Sequence, residues 1–339
     1  MFLLKDKGIF YTDDGIVLTI FRYRYKVIGG VILLKYISIK EASENWKISD
    51  RRIRALCNQG RIEGATKIGR NWSIPADATK PVDAREGVRK TYFGLEYDFS
   101  YIDSLKEAID RHRPFSKRLS DLLHEKLIVE WIYNSNAIEG NTLTMSETKV
   151  VLEGITIGGK SMVEHLEIIN HREAILFIGD LIFNKEPLSE WNIKNIHALI
   201  LKEIDNQNAG KYRTENVAIS GAKNIPSKHY EVNYLMQKLI AEYQNDWRNY
   251  HPVVRATLLY GEFVKIHPFI DGNGKTSRLL LNFELMKNGY IPIIIKNEKR
   301  AKYYDALDLA HTTMNYEPFI KMVSELVIES EKLCLSVLE

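Results

Sequence analysis

Between His267 and Arg278 the chain reads His267-Pro-Phe-Ile-Asp-Gly-Asn-Gly-Lys-Thr-Ser-Arg278, and these residue types at this spacing can handle a polyphosphate. The residues that follow, Leu279-Leu-Leu-Asn-Phe-Glu-Leu285, are strongly helical, so the stretch is a loop feeding a helix N-terminus. Gly272-Asn273-Gly274 lets backbone N–H groups come close to an anion, and the helix presents its unpaired amides and positive dipole end to the same place. Lys275 and Arg278, three apart, project from one side of the first turn and can neutralise phosphate oxygens. Asp271 is a hard oxygen ligand beside that cradle, suited to a Mg²⁺ bridging two phosphates. His267, with an unperturbed pKa of about 6.5, can take the proton of an incoming hydroxyl. Phe269 reads as the anchor that buries the loop.

The elements that must position these residues are mostly helices. From Tyr101 onward the apolar residues fall on helical faces, Leu105, Ala108 and Ile109 on one and Leu122, Leu123, Leu127, Ile128 and Trp131 on the next. The usual helix length then predicts about seven or more helices by the chain end. Trp131 and Trp191 read as core, and Glu164, His165, His171 and His197 as helix residues without metal-ligand spacing. Between Lys211 and Val232, Val217-Ala218-Ile219-Ser220 and Gly221 to Asn224 predict a strand and turn, a short β-hairpin in the bundle. Upstream, Ser135 and Glu139 share a helical face near residues 125–140, and Gly140 ends that helix.

Residues 36–80 form a separate small unit. Ser38 and Glu41 make a capping box, Ser49 caps a second helix from Asp50 to Gln59, and Gly60 ends it. Ala65 to Ile68 and Asn71 to Ile74 flank Gly69-Arg70 as a hairpin closed by Pro75. The order is helix, turn, helix, wing. Residues 81–100 read as a linker and residues 1–35 as strand-like or disordered, leaving 101–339 as the catalytic part.

Composition sets outer bounds. The 339 residues, 45% apolar and 27% charged, suit two globular domains, and the net charge of +3 says little about partners. Its distribution says more: residues 45–80 carry eight Lys or Arg against three acids, a net of +5, which leaves the rest at −2. Cys57 and Cys334 form neither a disulfide framework nor a zinc site, which fits a reducing, cytoplasmic setting. The run Val27 to Leu34 is too short to span a bilayer and is flanked unlike a signal peptide, so no membrane association is expected.

The segment His267–Arg278 resembles the signature of the Fic family, HxFx(D/E)GNGRxxR, matching at His267, Phe269, Asp271, Gly272, Asn273, Gly274 and Arg278. Lys275 departs from it, keeping a cation while losing the planar fork of arginine. The resemblance spans about residues 90–330. It implies a mainly α, Fic-type helical bundle with a β-hairpin flap, and a protein adenylyltransferase: a Ser, Thr or Tyr hydroxyl of a target protein attacks the α-phosphate of ATP, pyrophosphate leaves, and His267 accepts the proton. The intact Gly-Asn-Gly favours AMP over another donated group.

The same resemblance extends to the neighbouring segments. Ser135-x-x-x-Glu139-Gly140 looks like the family's inhibitory motif, which implies that Glu139 pairs with Arg278 and restrains the enzyme. Val217, Ala218, Ile219 and Ser220 stand where the flap lines up the target by strand addition. Tyr303 and Tyr304 match the segment that encloses the nucleotide base, and a homodimer is implied. Residues 36–80 resemble small helix-turn-helix domains of the excisionase and MerR-like type. That places Arg51, Arg52 and Arg54 on the recognition helix and Arg70 on the wing, against DNA. The alternatives are a DNA-binding regulator whose Fic domain senses nucleotide, and a Fic enzyme with another donor or with de-AMPylation activity.

Overall fold

The computed structural model describes residues 9–11, 17–19, 36–58, 60–62, 64–69, 71–76, 78–80, 90–92, 95–219 and 225–338. Two compact units divide the chain, Met1–Val88 and Arg89–Glu339. At the start of the first, β1 (Ile9–Tyr11) pairs antiparallel with β2 (Val17–Thr19), while the run Val27 to Leu34 lies outside the described residues. β3 (Tyr36–Ile37) follows, and Ser38 with Glu41 closes the predicted capping box on α1 (Ile39–Trp46). Lys47 in the left-handed conformation then turns the chain into α2 (Asp50–Asn58), whose Arg52 amide donates to Ser49 Oγ. β4 (Thr66–Ile68) and β5 (Asn71–Pro75) pair with Ile68 opposite Asn71, giving a sheet of order β3-β5-β4. Gly69 takes φ +62 in the connecting turn, a conformation that glycine adopts without strain. Ile37, Ala42, Ile53, Leu56, Cys57, Ile62 and Ile74 form this unit's own core.

The second unit opens on a two-stranded pair, β6 (Lys90–Tyr92) and β7 (Leu95–Tyr97), inside the stretch read as linker. Ten α-helices follow among the described residues: α3 (Ser100–Asp110), α4 (Lys117–Ala137), α5 (Met145–Leu152), α6 (Met162–Phe183), α7 (Glu190–Ile200), α8 (Val232–Gln244), α9 (Pro252–Ile266), α10 (Asn273–Lys287), α11 (Arg300–Thr313) and α12 (Glu317–Leu338). α10 is the central helix. Every residue from Lys275 to Leu285 is buried, so it has no solvent face and must be enclosed on all sides. α9 packs along it, with α6 and α7 on its other sides.

Asn282 and Glu284 of α10 find their partners inside the core, as burial requires. Asn282 Oδ1 accepts from the Ile293 amide and its Nδ2 donates to the Ile293 carbonyl, 2.8 and 2.9 Å. Glu284 accepts from Arg255 Nε at 2.6 Å and from the Tyr243 hydroxyl.

Two expectations change. Trp131 is core, 3% exposed, but Trp191 is 64% exposed, because it stands on the outer side of the first turn of α7 while Ile193 and Ile196 take the buried positions. The segment 211–228 is non-helical, as read, but Val217–Ile219 and residues 225–228 form no strand among the described residues. A strand needs a ladder partner, and no described strand lies beside it; Ser220 to Asn224 are outside the described residues.

Candidate active site

α9 ends at Ile266, and His267 is its C-cap at φ 53, ψ 61, a left-handed position that histidine tolerates better than most side chains. This turn is where the chain leaves one long helix for the loop that starts the next. His267 Nδ1 lies 3.3 Å from the Val264 carbonyl, an arrangement that assigns the ring proton to Nδ1 and leaves the Nε2 lone pair as the acceptor. Burial, reinforced by the Arg213 guanidinium, pushes its pKa down to about 4, so the neutral, proton-accepting form prevails at neutral pH.

Phe269 is fully buried and anchors the loop, as the sequence suggested. Asn273 shapes it: its Oδ1 accepts from the Phe269 amide at 3.0 Å and its Nδ2 donates to the Phe269 carbonyl at 2.9 Å. Both ends of that amide are therefore engaged inside the loop. Asn273 positions the cradle with its side chain, which leaves its backbone N–H for an anion. Gly272, at φ 72, is the N-cap of α10, and Thr276 N closes the first helical bond to its carbonyl. The amides of the first turn thus remain open to an anion.

That opening is covered by a carboxylate. Glu139, in the turn after α4, accepts from Arg278 Nη2 at 2.8 Å. Glu139 Oε1 lies so close over Gly274 that a side chain at that position would displace the carboxylate from the helix start. Arg278 is 4% exposed and is fixed further by Ser135, Nε to Oγ and Nη2 to the carbonyl, each 2.8 Å. Gly140 takes φ +100 as the helix ends. Burial opposes the ionisation of Glu139, yet Arg278, with Lys275 and Arg300, holds its carboxyl below its ordinary value. The carboxylate form is the one present at neutral pH.

Lys275 does not share the direction of Arg278. Its Nζ pairs with Glu167 of α6 at 2.5 Å, and Glu167 also accepts from Asn141 Nδ2 at 2.8 Å. Both cations of the first turn are thus held by carboxylates, one from the turn after α4 and one from α6. Asp271 is exposed beside the cradle, with Oδ1 accepting from the Gly272 amide at 2.7 Å. Among the described residues no cluster of three or more metal-ligating side chains exists. One accessible carboxylate beside open helix amides fits Mg²⁺ carried in on a nucleotide, since that ion needs few protein ligands when phosphates complete its shell. Tyr303 is buried, 1% exposed, edge-on to Tyr260 and Phe319 or tilted against them, and belongs to the core. Its neighbour Tyr304 is 37% exposed under Arg300 and remains accessible.

Sequence reasoning missed four residues here. His197 was set aside as a helix histidine, but its ring stacks on Phe269 at 3.6 Å. Its Nδ1 accepts from the Gly210 amide and its Nε2 donates to the Asp271 carbonyl, both 2.9 Å. Burial lowers its pKa to about 4, which keeps the neutral tautomer those two bonds require. Arg213, Glu167 and Arg300 lie far along the chain from the loop, and nothing local in the sequence marks them. The departure from the family signature at Lys275 is the local signal that could have pointed to a partner for that residue.

The comparisons agree with this geometry. Residues 187–285 match the Fic/DOC family. A protein of Drosophila willistoni, "Protein adenylyltransferase Fic", is 37% identical over 201 residues, 57% of this chain and 39% of that one. Its Drosophila ananassae counterpart is 34% identical over 229 residues, 66% of this chain and 45% of its own. Among solved structures, a Fic-domain-containing signaling protein from Bacteroides thetaiotaomicron is 30% identical with a TM-score of 0.64, covering 70% of this chain and 96% of that one. Residues 134–508 of Fic-1 from C. elegans give 28% identity and a TM-score of 0.64, covering 70% of this chain and 71% of that one. A helical bundle with a loop–helix anion cradle and a left-handed histidine before it defines a class built to receive an anion at a helix start. The chain belongs to the Fic family. It spans 39 to 45% of the length of these curated relatives.

Proposed function

We propose that the chain is a protein adenylyltransferase restrained by its own Glu139. The observation that carries this reading is the Glu139 carboxylate lying over Gly274 and paired with Arg278, where a nucleotide's phosphates would sit. A side chain that imitates the phosphate is intelligible only if the cradle has a phosphate to receive. The names of the Drosophila relatives support AMP as the group transferred.

In this reading ATP lays its phosphates on the amides of Asn273 to Lys275, with Arg278 neutralising them once Glu139 withdraws. A Ser, Thr or Tyr oxygen of the target bonds to the α-phosphorus as the bond to the bridging oxygen breaks, pyrophosphate departs, and the hydroxyl proton passes to His267 Nε2. Mg²⁺, held by Asp271 and the nucleotide, would supply charge neutralisation on the leaving phosphates. Val217, Ala218 and Ile219, which pair with no strand among the described residues, would take the target backbone as an added strand, and Tyr304 would border the base. Two buried, unpaired cysteines suit a cytoplasmic enzyme.

The small N-terminal unit supports a second reading. Arg51 and Arg54 are exposed along α2, opposite the buried Ile53, Leu56 and Cys57, as a DNA-reading helix would present them. Arg70 lies outside the described residues. A DNA-binding regulator whose Fic domain only senses nucleotide would show no transfer in any variant. Incubation with ATP labelled on the α- or the γ-phosphate decides. The α-label is expected on protein, with a mass gain of one AMP, and His267→Ala should abolish it; γ-label incorporation, or an α-label that survives His267→Ala, contradicts the reading.

A further inference from the structure

Arg213 is a buried cation that faces no acid. It is 3% exposed, and among the described residues no carboxylate lies within ion-pair distance. Burial alone lowers its pKa, with no compensating anion. Its partners are backbone carbonyls drawn from three segments. Nε donates to the His267 carbonyl at 2.7 Å, and Nη2 reaches the Ile266 carbonyl at 3.4 Å, both at the C-terminal end of α9. Nη1 donates to the Glu215 carbonyl at 2.8 Å, and Nη2 also donates to the Ser227 carbonyl. Its own amide donates to the Pro268 carbonyl at 2.9 Å, and Ser227 Oγ donates to the Ile266 carbonyl at the same distance.

Glu215 and Ser227 are the two roots of the segment that carries Val217 to Ile219. One guanidinium therefore holds both roots of that segment and the backbone of His267 in a single fixed arrangement. A cation at a helix C-terminus is stabilising in itself, but a lysine would do that much. Three directions at once need the planar fork of arginine.

We infer that Arg213 is a positioning residue, which sets the His267 backbone in register with the roots of the segment that receives the target chain. The inference rests on the proposed role of His267 as proton acceptor. It accounts for the cost of burying an unpaired guanidinium, and for a left-handed His267 that keeps one orientation. Through its charge, Arg213 also favours the neutral imidazole.

The test compares Glu139→Gly protein with Arg213→Lys and Arg213→Met made in the same full-length background. Single-turnover automodification from labelled ATP is read beside binding of a non-hydrolysable ATP analogue, thermal unfolding, and titration of the His267 imidazole by NMR. Transfer is expected to fall by about tenfold or more in both variants, as small misplacements of a reacting group do. Analogue binding should stay within about twofold of the parent, because Arg213 touches no cradle amide. The His267 titration should move to higher pH in Arg213→Met and stay in place in Arg213→Lys, separating charge from fork. Unchanged transfer in both variants, or a loss that tracks analogue binding or unfolding, overturns the inference. If the Glu139→Gly parent itself transfers nothing, the proposed function has failed. The His267 titration still judges the Arg213 contact in that case, and an unmoved titration in Arg213→Met rejects it.

Discussion

Arg278 and Lys275 sit three residues apart on α10, yet they are claimed from different sides, by Glu139 and by Glu167. The first pair blocks the cradle directly, since its carboxylate occupies the space above Gly274. The second turns the Lys275 ammonium toward α6, so that it acts on the cradle only through space. Lys275 is buried and Glu167 largely so, and the net worth of such a pair is small because desolvating both charges offsets their attraction. Releasing it should make Lys275 available to the nucleotide. Glu167→Gln, made in the Glu139→Gly protein, is therefore expected to tighten ATP-analogue binding by about two- to fivefold. Isothermal titration reads this directly; weaker binding would mean that Glu167 holds Lys275 in its working position instead. The substitution of lysine at a position where the family signature has arginine then has a physical reading: a single ammonium suits one carboxylate, where a fork would reach further.

The elements divide into those the sequence announces and those it hides. The loop from His267 to Gly274 and the start of α10 were legible because glycines, a proline and a dense apolar run leave few alternatives. The capping box of α1 and the turn at Gly69 were legible for the same local reason. What the sequence could not show is what comes from far along the chain: His197 against Phe269, Arg213 against His267, Glu167 against Lys275. Trp191 illustrates the opposite error, since its aromatic bulk suggested a core position that its place on α7 does not give it. The role of Asn273 also became clear only in three dimensions. Asn273→Ala removes both bonds to Phe269 and leaves two buried backbone groups without a partner. The expected loss is about 1–3 kcal/mol of stability in urea unfolding, with a fall in transfer, because the cradle loses its shape. Unaltered unfolding would show that the loop is held by Phe269 and His197 alone.

At the scale of the whole molecule, a bundle built around buried histidines has a defined response to acid. His197 and His267 have pKa values lowered to about 4 by burial, and burial also holds His171 well below its ordinary value. In the unfolded chain each titrates near 6.5, so between about pH 6.5 and 4 the unfolded state binds more protons than the native one. The three histidines therefore raise stability with pH across that window, with a limiting slope of about 1.4 kcal/mol per pH unit each, while Glu331, pushed up by burial to about 7, offsets one of them. Urea unfolding from pH 4 to 8 should show this rise levelling above about 6.5, and His197→Phe should flatten it. A stability that is constant over the window would contradict the neutral, proton-poor site described above.

One contact, Glu139 with Arg278, is central to the proposal of a restrained transferase. Its most direct test is transfer of α-labelled AMP by the wild-type chain and Glu139→Gly side by side. Losing one charge-assisted hydrogen bond, worth about 1.5–3 kcal/mol, predicts an increase of about ten- to hundredfold in the variant. Equal transfer by the two proteins would contradict the restraint, and no transfer by either would contradict the enzyme.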